Sequence, residues 1–194
     1  MLNKSVEQAI SLFLYIGVTF ATVFLMTDSV TDPVNVTKLA AAGGVGLIAC
    51  QMAKNLGLNL IGTAGSDAKC ALAKQYGAAH TINYSTEDFL ARVKEITNGK
   101  GVKAVYNSVG KDTFDKSLDC LSPFGLLASY GNASGNVPPV NIGILGAKGS
   151  LHITRPTVFT HLATRESAQA MADAVDAIRQ RSVHSIGINL FVLN

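Results

Sequence analysis

Short apolar runs alternate with amphipathic stretches along the chain from Val34 onward. The runs have the length of buried strands, and the stretches between them place apolar residues three and four positions apart, as on one face of a helix. The pattern predicts strands at 34–41, 58–63, 80–84, 102–110 with its exit turn, 124–131 and 150–154. It predicts helices at 45–56, 66–77, 85–99, 112–121 and 164–181.

Residues that begin and end helices fit this alternation. Ser66 is a suitable N-cap, and Ser85 with Asp88 forms a capping-box-like start for the next helix. Gly57 and Gly99 follow apolar helical stretches, where glycine commonly ends a helix. Strand and helix in strict alternation with short connections predict a parallel sheet covered on both faces. The expected fold class is α/β, a doubly wound parallel sheet of Rossmann type.

The N-terminal part of the chain has a different pattern. Residues 8–27 carry no charge, and the run is about as long as a membrane span. Gln8, Ser11 and Gly17 interrupt its apolar character, so we favour helices packed on a soluble core, with a membrane-seeking segment as the alternative. We therefore expect an N-terminal apolar helical segment at 1–33 and one Rossmann domain at 34–194.

Composition and charge narrow the function classes. Hydrophobic residues make up 48% of the 194 residues and charged residues 15%, which is typical of a folded chain. The net charge of +3 is scattered, so nucleic acid is not an expected partner. Three isolated cysteines without a C-x-x-C pair favour a reducing, cytoplasmic location, and the four histidines lack metal-ligand spacing, so no metal site is expected.

A glycine cluster lies between the first predicted strand and the first predicted helix. The spacing Ala41-x-Gly43-x-x-Gly46 is the dinucleotide-binding pattern with its first glycine replaced by alanine. Glycine is needed where the backbone approaches a pyrophosphate, and the amides of Gly44 and Val45 would face the anion at the start of the helix. The alternative is a bare turn, but the surrounding strand–helix–strand unit favours phosphate binding.

The end of the second strand indicates which dinucleotide is bound. An NAD site places an acidic residue there to bind the ribose, whereas residues 63–65 carry none. Ser66 and Lys69 offer a hydroxyl and a cation that suit the 2′-phosphate of NADPH. Asp67 weakens the preference for NADPH over NADH. However, an acidic residue in the first turn of a helix also interacts favourably with the helix dipole, which would explain Asp67 without a ribose contact. Tyr84, at the end of the third strand, either lies beside the adenine or packs at the strand edge.

Several motifs in one order resemble a known family. The segments "AAAGGVGLIACQMAK", "GTAGSDAK", "INYSTEDF", "VYNSVGKDTFDKSLDCL", "YGNASG" and "GSLHITRP" resemble the quinone oxidoreductases of the medium-chain dehydrogenase/reductase superfamily, in the zinc-free, zeta-crystallin-like branch. The resemblance implies a homodimer that transfers hydride from NADPH to a quinone without a metal. It also implies that the strand Ser150 to Thr154 pairs across the dimer.

The resemblance extends the set of expected cofactor-binding residues, although it assigns no catalytic acid or base. The full set is Gly43, Gly44, Val45, Gly46, Leu47, Gly65, Ser66, Lys69, Tyr84, Ser108, Val109, Tyr130, Gly131, Asn132, Ala133, Arg155, Pro156 and Thr157.

Departures from the family leave a second hypothesis open. Asn107 stands where the family has an acidic residue, and Asp32-Pro33-Val34-Asn35 lacks the glycine usual in the turn before the first strand. The resemblance further implies that the family's N-terminal catalytic domain, which forms one wall of the quinone cleft, is missing from this chain. The alternative to an active enzyme is therefore a non-catalytic NADP(H)-binding or dimerising remnant.

Overall fold

Six strands and the helices between them make up the described part of the chain. The computed structural model describes residues 36–41, 44–55, 57–161, 163–170 and 173. The strands are β1 Val36–Ala40, β2 Asn59–Ala64, β3 His80–Asn83, β4 Val102–Asn107, β5 Leu121–Ser129 and β6 His152–Thr154. The helices are α1 Gly44–Asn55, α2 Asp67–Gln75, α3 Phe89–Ile96, α4 Phe114–Asp119, α5 Gly143–Ala147 and α6 Val158–His161.

The strands form one parallel sheet in the order β3-β2-β1-β4-β5-β6. Consecutive strands run outward from β1 in one direction as far as β3, and the chain then returns to place β4 on the other side of β1. This order is that of the Rossmann fold, and it puts a crevice between the carboxyl ends of β1 and β4, where the direction of winding reverses. The predicted doubly wound α/β fold is confirmed.

Each face of the sheet is covered by a different set of helices. On one face Leu60 of β2 and Leu126 of β5 pack in a cluster with Ala53 of α1 and Ala73 of α2. On the other face a second cluster contains Ile61 and Leu127, the strand residues that follow Leu60 and Leu126, together with side chains of α3 and α4. Its members include Ile61, Ile82, Val93, Val105, Leu118 and Leu127. Successive residues of a strand point to opposite faces, so the continuous apolar runs of β2 and β5 reflect burial on both sides.

Some predicted boundaries were wrong. The helix expected at 112–121 is a 3₁₀ turn at Lys111–Thr113 followed by the short α4. Leu121, its expected last residue, begins β5 and pairs with Val102. The register then shifts so that Leu126 pairs with Ala104. The strand expected at 124–131 therefore begins three residues earlier, because pairing with β4 extends it back to Leu121.

Other differences concern helix termini. Asp88 alone is the N-cap of α3, its side chain accepting a hydrogen bond from the Leu90 amide, so the predicted start at Ser85 was wrong. The sequence pattern missed the five-residue α5. The last predicted helix is described only in part, at 165–170 and 173.

The N-terminal apolar segment at 1–33 lies outside the described residues, so its two interpretations remain predictions. The limits of the domain expected at 34–194 also extend beyond these residues at both ends. Every helix in the described ranges is too short or too polar to cross a bilayer.

Candidate functional site

The described site residues follow the carboxyl ends of six parallel strands, and the ends of parallel strands meet at one edge of a sheet. Gly43 lies outside the described residues. In chain order, Gly44, Val45, Gly46 and Leu47 begin α1; Gly65, Ser66 and Lys69 follow β2; Tyr84 follows β3; Ser108 and Val109 follow β4; Tyr130, Gly131, Asn132 and Ala133 follow β5; and Arg155, Pro156 and Thr157 follow β6.

The amino end of α1 lies beside the crevice between β1 and β4. The helix begins at Gly44 and carries no acidic side chain in its first turn. Its first amides have no partner within the helix and carry partial positive charge, so this end suits an anion. Gly46 is buried in the same turn, where a side chain would need space against the sheet.

The start of α2 offers a second set of donors. The hydroxyl oxygen of the N-cap Ser66 accepts a hydrogen bond from the amide of Lys69 at 3.4 Å. A serine hydroxyl has one proton to donate besides its acceptor sites, so the O–H of Ser66 is free to bind a further acceptor. Lys69 is exposed in the first turn of the same helix. A hydroxyl, an ammonium group and a helix amino end together suit a phosphate.

Asp67 is bound to the neighbouring strand. Its Oδ1 accepts a hydrogen bond of 2.7 Å from Nδ2 of Asn83, the last residue of β3. Oδ1 of Asn83 in turn accepts the amide of Ser85 at 3.1 Å, and the Ser85 hydroxyl donates to the carbonyl of Gly65 at 2.9 Å. This network fixes the exits of β2 and β3 relative to each other. Sequence reasoning missed Asn83, although a polar residue at the end of a buried strand was the available signal.

Tyr84 lies against the exit of β2. A Cβ atom on Gly65 would lie 2.9 Å from the Tyr84 hydroxyl and 3.2 Å from its ring, so a side chain at that position would require the end of the tyrosine to shift. The side chain of Tyr84 remains 56% exposed. The ring therefore packs on the strand end with more than half of its surface available to another group.

The exits of β4 and β5 are hydrogen-bonded to each other. The Asn107 carbonyl accepts the amides of Tyr130 at 2.9 Å and Gly131 at 3.4 Å. The Ala133 amide donates to the Ser108 carbonyl at 3.2 Å. The two loops thus form one wall of the crevice, and displacement of one would move the other.

Glycine at position 131 permits this close approach. A Cβ atom there would lie 2.4 Å from the carbonyl oxygen and 2.9 Å from the Cα of Ser108, both backbone atoms. Gly110 shows the same dependence from the β4 side, since it has a φ of +91° and an added Cβ would lie 2.5 Å from the carbonyl oxygen of Gly135. The close contact between the two loops of the wall therefore depends on a glycine in each loop.

Two tyrosines adjoin this wall, Tyr106 buried in β4 and Tyr130 partly buried after β5. Burial raises the pKa of Tyr106 above its usual range, and the nearby Tyr130 adds to the effect. Burial also raises the pKa of Tyr130, against the smaller opposing effect of a hydrogen bond with Ser108. Both shifts move ionisation of the phenols further above neutral pH. Arg155 brings a positive charge, and its Nη1 donates to the carbonyl of Ser129 at 2.9 Å and that of Gly131 at 3.5 Å.

This strand order, with its site at one edge, defines a Rossmann-type α/β domain. The family described as zinc-binding dehydrogenase matches residues 44–177, which is more than half of the chain, so the chain belongs to that family. The resemblance to quinone oxidoreductases is also confirmed. The chain is 56% identical to a quinone oxidoreductase of Pseudomonas aeruginosa over 150 residues, 77% of this chain and 46% of that protein.

Two further relatives broaden the comparison. The structure of Escherichia coli quinone oxidoreductase complexed with NADPH matches with a TM-score of 0.72 and 45% identity, over 87% of this chain and 51% of that one. A 2-haloacrylate reductase of a Burkholderia species is 49% identical over 143 residues, 71% of this chain and 43% of that protein. The chain thus spans just under half the length of the curated relatives it matches.

The family description mentions zinc, which proteins bind through clusters of His, Cys, Asp or Glu side chains. Within the described ranges, no three or more His, Cys, Asp or Glu side chains cluster as metal ligands would. Cys50, Cys70 and Cys120 are buried, and none of these three forms a disulfide.

Proposed function

We propose that this chain binds NADPH and forms the cofactor-binding half of an oxidoreductase that reduces quinones. The observation that carries the proposal is the convergence of the site residues at the edge where β1 and β4 diverge, with an acid-free helix start beside the crevice. Its relatives include quinone oxidoreductases, one of them solved with NADPH. The residues present fit the dinucleotide at both of its ends.

At the adenosine end, the described groups match the chemistry of a 2′-phosphate. The free O–H of Ser66 and the ammonium of Lys69 would hold the phosphate, while Tyr84 would cover the adenine. Asp67 is engaged by Asn83, which leaves its carboxylate less available to a ribose hydroxyl. The first-turn amides of α1 would hold the diphosphate. These features favour NADPH over NADH.

At the nicotinamide end, the chain would supply position and partial exclusion of water. NADPH itself supplies the hydride when bound. The wall formed by Ser108, Val109 and the loop from Tyr130 to Ala133 would support the ribose and ring, with Arg155, Pro156 and Thr157 at its outer side. Precise placement of reactants accounts for large rate factors, so the rigidity of this wall matters for hydride transfer.

Calorimetric titration with NADPH and NADH tests the cofactor assignment. Lys69→Ala is expected to weaken NADPH binding by about tenfold, since one charge-assisted contact to phosphate is lost. NADH binding should change little. Lys74→Ala removes an exposed lysine from the last turn of the same helix and is the matched control. Absence of saturable NADPH binding at millimolar concentration would refute the assignment.

The second hypothesis is a chain that binds NADP(H) without turnover. It stays open because the expected site residues bind cofactor and include no assigned catalytic acid or base, and cofactor binding alone does not require turnover. Quinone-dependent oxidation of NADPH, followed at the absorbance of the reduced cofactor, distinguishes the two. Turnover by this chain supports the enzyme, whereas tight binding without turnover supports the remnant.

We also propose that two copies pair through β6. This strand is at the edge of the sheet, and Ile153 within it is 36% exposed, so a second copy would extend the sheet by strand addition. Ile153→Lys should lower the mass measured by light scattering from dimer to monomer, while Leu72→Lys, equally exposed on α2, should not. An unchanged mass for Ile153→Lys would contradict this pairing.

We propose the cytoplasm as the location. The three described cysteines are buried and form no disulfide, which suits a reducing compartment.

A further inference from the structure

Asn107 is the most heavily hydrogen-bonded side chain at the exit of β4. It is 3% exposed. Its Oδ1 accepts the amides of Val109 at 2.8 Å and Gly110 at 3.0 Å and the hydroxyl of Thr113 at 3.2 Å. Its Nδ2 donates to Oγ of Ser117 at 3.3 Å. One carboxamide therefore fixes the turn that carries Ser108 and Val109 to the crevice.

The hydrogen-bond partners of this side chain do not require an amide. Three of the four groups around it are donors to Oδ1, and a carboxylate oxygen accepts such donors at least as well. The fourth, the hydroxyl of Ser117, accepts from Nδ2 but can rotate to donate instead. An aspartate of the same shape would thus keep all four contacts and would be ionised, because several donors to a carboxylate hold its pKa low. The property specific to asparagine at this position is the absence of charge.

The residues around position 107 determine how strongly a charge there would act. Tyr106 and Tyr130 carry no charge at pH 7, as is usual for a phenol, and burial raises their pKa values further. The charged side chains at these loops, Lys111, Asp112 and Arg155, are exposed. Position 107 is therefore a buried place beside the crevice where a unit charge would be poorly screened by solvent.

We propose that Asn107 is a positioning residue whose neutral amide holds the cofactor-facing turn and, by lacking charge, favours the reduced over the oxidised nicotinamide. The oxidised ring carries a positive charge and the reduced ring does not, so a carboxylate at position 107 would stabilise the oxidised form selectively. With the amide, the oxidised product gains no such attraction and leaves more readily. This inference rests on the proposed NADPH-binding function.

The test is the ratio of the dissociation constants for NADP⁺ and NADPH, measured by calorimetry on the full chain. Asn107→Asp should lower this ratio by about threefold or more, as one poorly screened unit charge would, while its thermal midpoint stays close to that of the unmodified chain. Asn98→Asp is the matched control, because it makes the same change of charge at an exposed residue before β4, at the opposite edge of the sheet. Its ratio should not change.

The outcomes of these titrations distinguish the role proposed for Asn107 from its alternatives. An unchanged ratio in a folded Asn107→Asp protein would overturn the inference, as would an equal shift in Asn98→Asp. Failure of Asn107→Asp to fold would also overturn it, since the four contacts are expected to accept a carboxylate. If the unmodified chain binds neither nucleotide, the proposed function fails instead, so the two failures are distinguishable.

Discussion

Gly131→Ala probes the contact on which the crevice wall depends. In the structure a Cβ at this position would lie 2.4 Å from the carbonyl oxygen, 2.9 Å from the Cα and 3.0 Å from the carbonyl carbon of Ser108. Non-bonded carbon atoms are most stable about 3.5 to 4.0 Å apart, so the two loops must separate by roughly 1 Å. All three atoms belong to the backbone, and no side-chain rotation relieves the clash.

The expected loss in the free energy of unfolding of Gly131→Ala follows from the contacts that this separation disturbs. The hydrogen bonds from Ala133 to Ser108 and from Gly131 to Asn107, at 3.2 and 3.4 Å, are already long, and each contributes about 1 kcal/mol. With a typical overpacking penalty of about 1–3 kcal/mol, we expect Gly131→Ala to lower the free energy of unfolding by about 2–4 kcal/mol. NADPH binding should weaken as well, because the wall is displaced.

Urea denaturation measures the first effect and calorimetric titration the second. Gly146→Ala is the control, since a Cβ there meets nothing within 4 Å and the residue lies in α5; replacing a helical glycine should leave stability unchanged or raise it by about 0.5–1 kcal/mol. If the free energy of unfolding of Gly131→Ala in urea lies within about 0.5 kcal/mol of that of the unmodified chain, the close approach of the two loops does not contribute as argued.

Three further predictions test the core, the site network and a buried thiol. Leu118→Ala, at a side chain only 1% exposed, should lower the free energy of unfolding by about 2–5 kcal/mol in urea, whereas Leu72→Ala, 36% exposed, should cost under about 1 kcal/mol. Asn83→Ala leaves Asp67 and the Ser85 amide without their partner, so urea denaturation should show a loss of about 1–3 kcal/mol; no loss would contradict the network. Burial raises the pKa of Cys50 from 9.0 to about 11. The unfolded chain therefore loses this proton first, and the stability contribution of the thiol, complete below pH 9, declines between pH 9 and 11. Cys50→Ala should flatten the decline in denaturation midpoint over that window, and an identical slope would refute the assignment.

The fold was largely predictable because its signals are local. Apolar runs as long as buried strands, such as 58–63, alternate with helices begun by residues such as Ser66, and both features depend on neighbours within a few positions. The wrong element boundaries occur where contact with another strand, rather than the local sequence, determines the secondary structure. Leu121 reads as the end of a helix, yet pairing with Val102 makes it the start of β5. Ser85 reads as a cap, but its hydroxyl bonds the Gly65 carbonyl twenty residues away.

The site was predictable as a set of strand-end residues but not as a set of contacts. Spacing and resemblance predict Ser66, Lys69 and Tyr84 as binding residues, and that role stays a prediction. They did not reveal that Asn83 ties Asp67 to the exit of β3, or that Asn107 gathers three donors and a serine hydroxyl. Both asparagines act through partners brought together by the sheet.

The amino-acid sequence by itself determined the alternation of strands and helices, and with it the parallel sheet and the edge at which function would lie. Those features follow from periodicity and from residues that begin or end each element. The tertiary structure decided which strand exits touch, where a missing Cβ is essential, and which polar side chains are satisfied. These depend on the register between strands such as β4 and β5, which pair Val102 with Leu121 across an intervening helix, and pairing beyond the range of a single element leaves no periodic trace in the sequence.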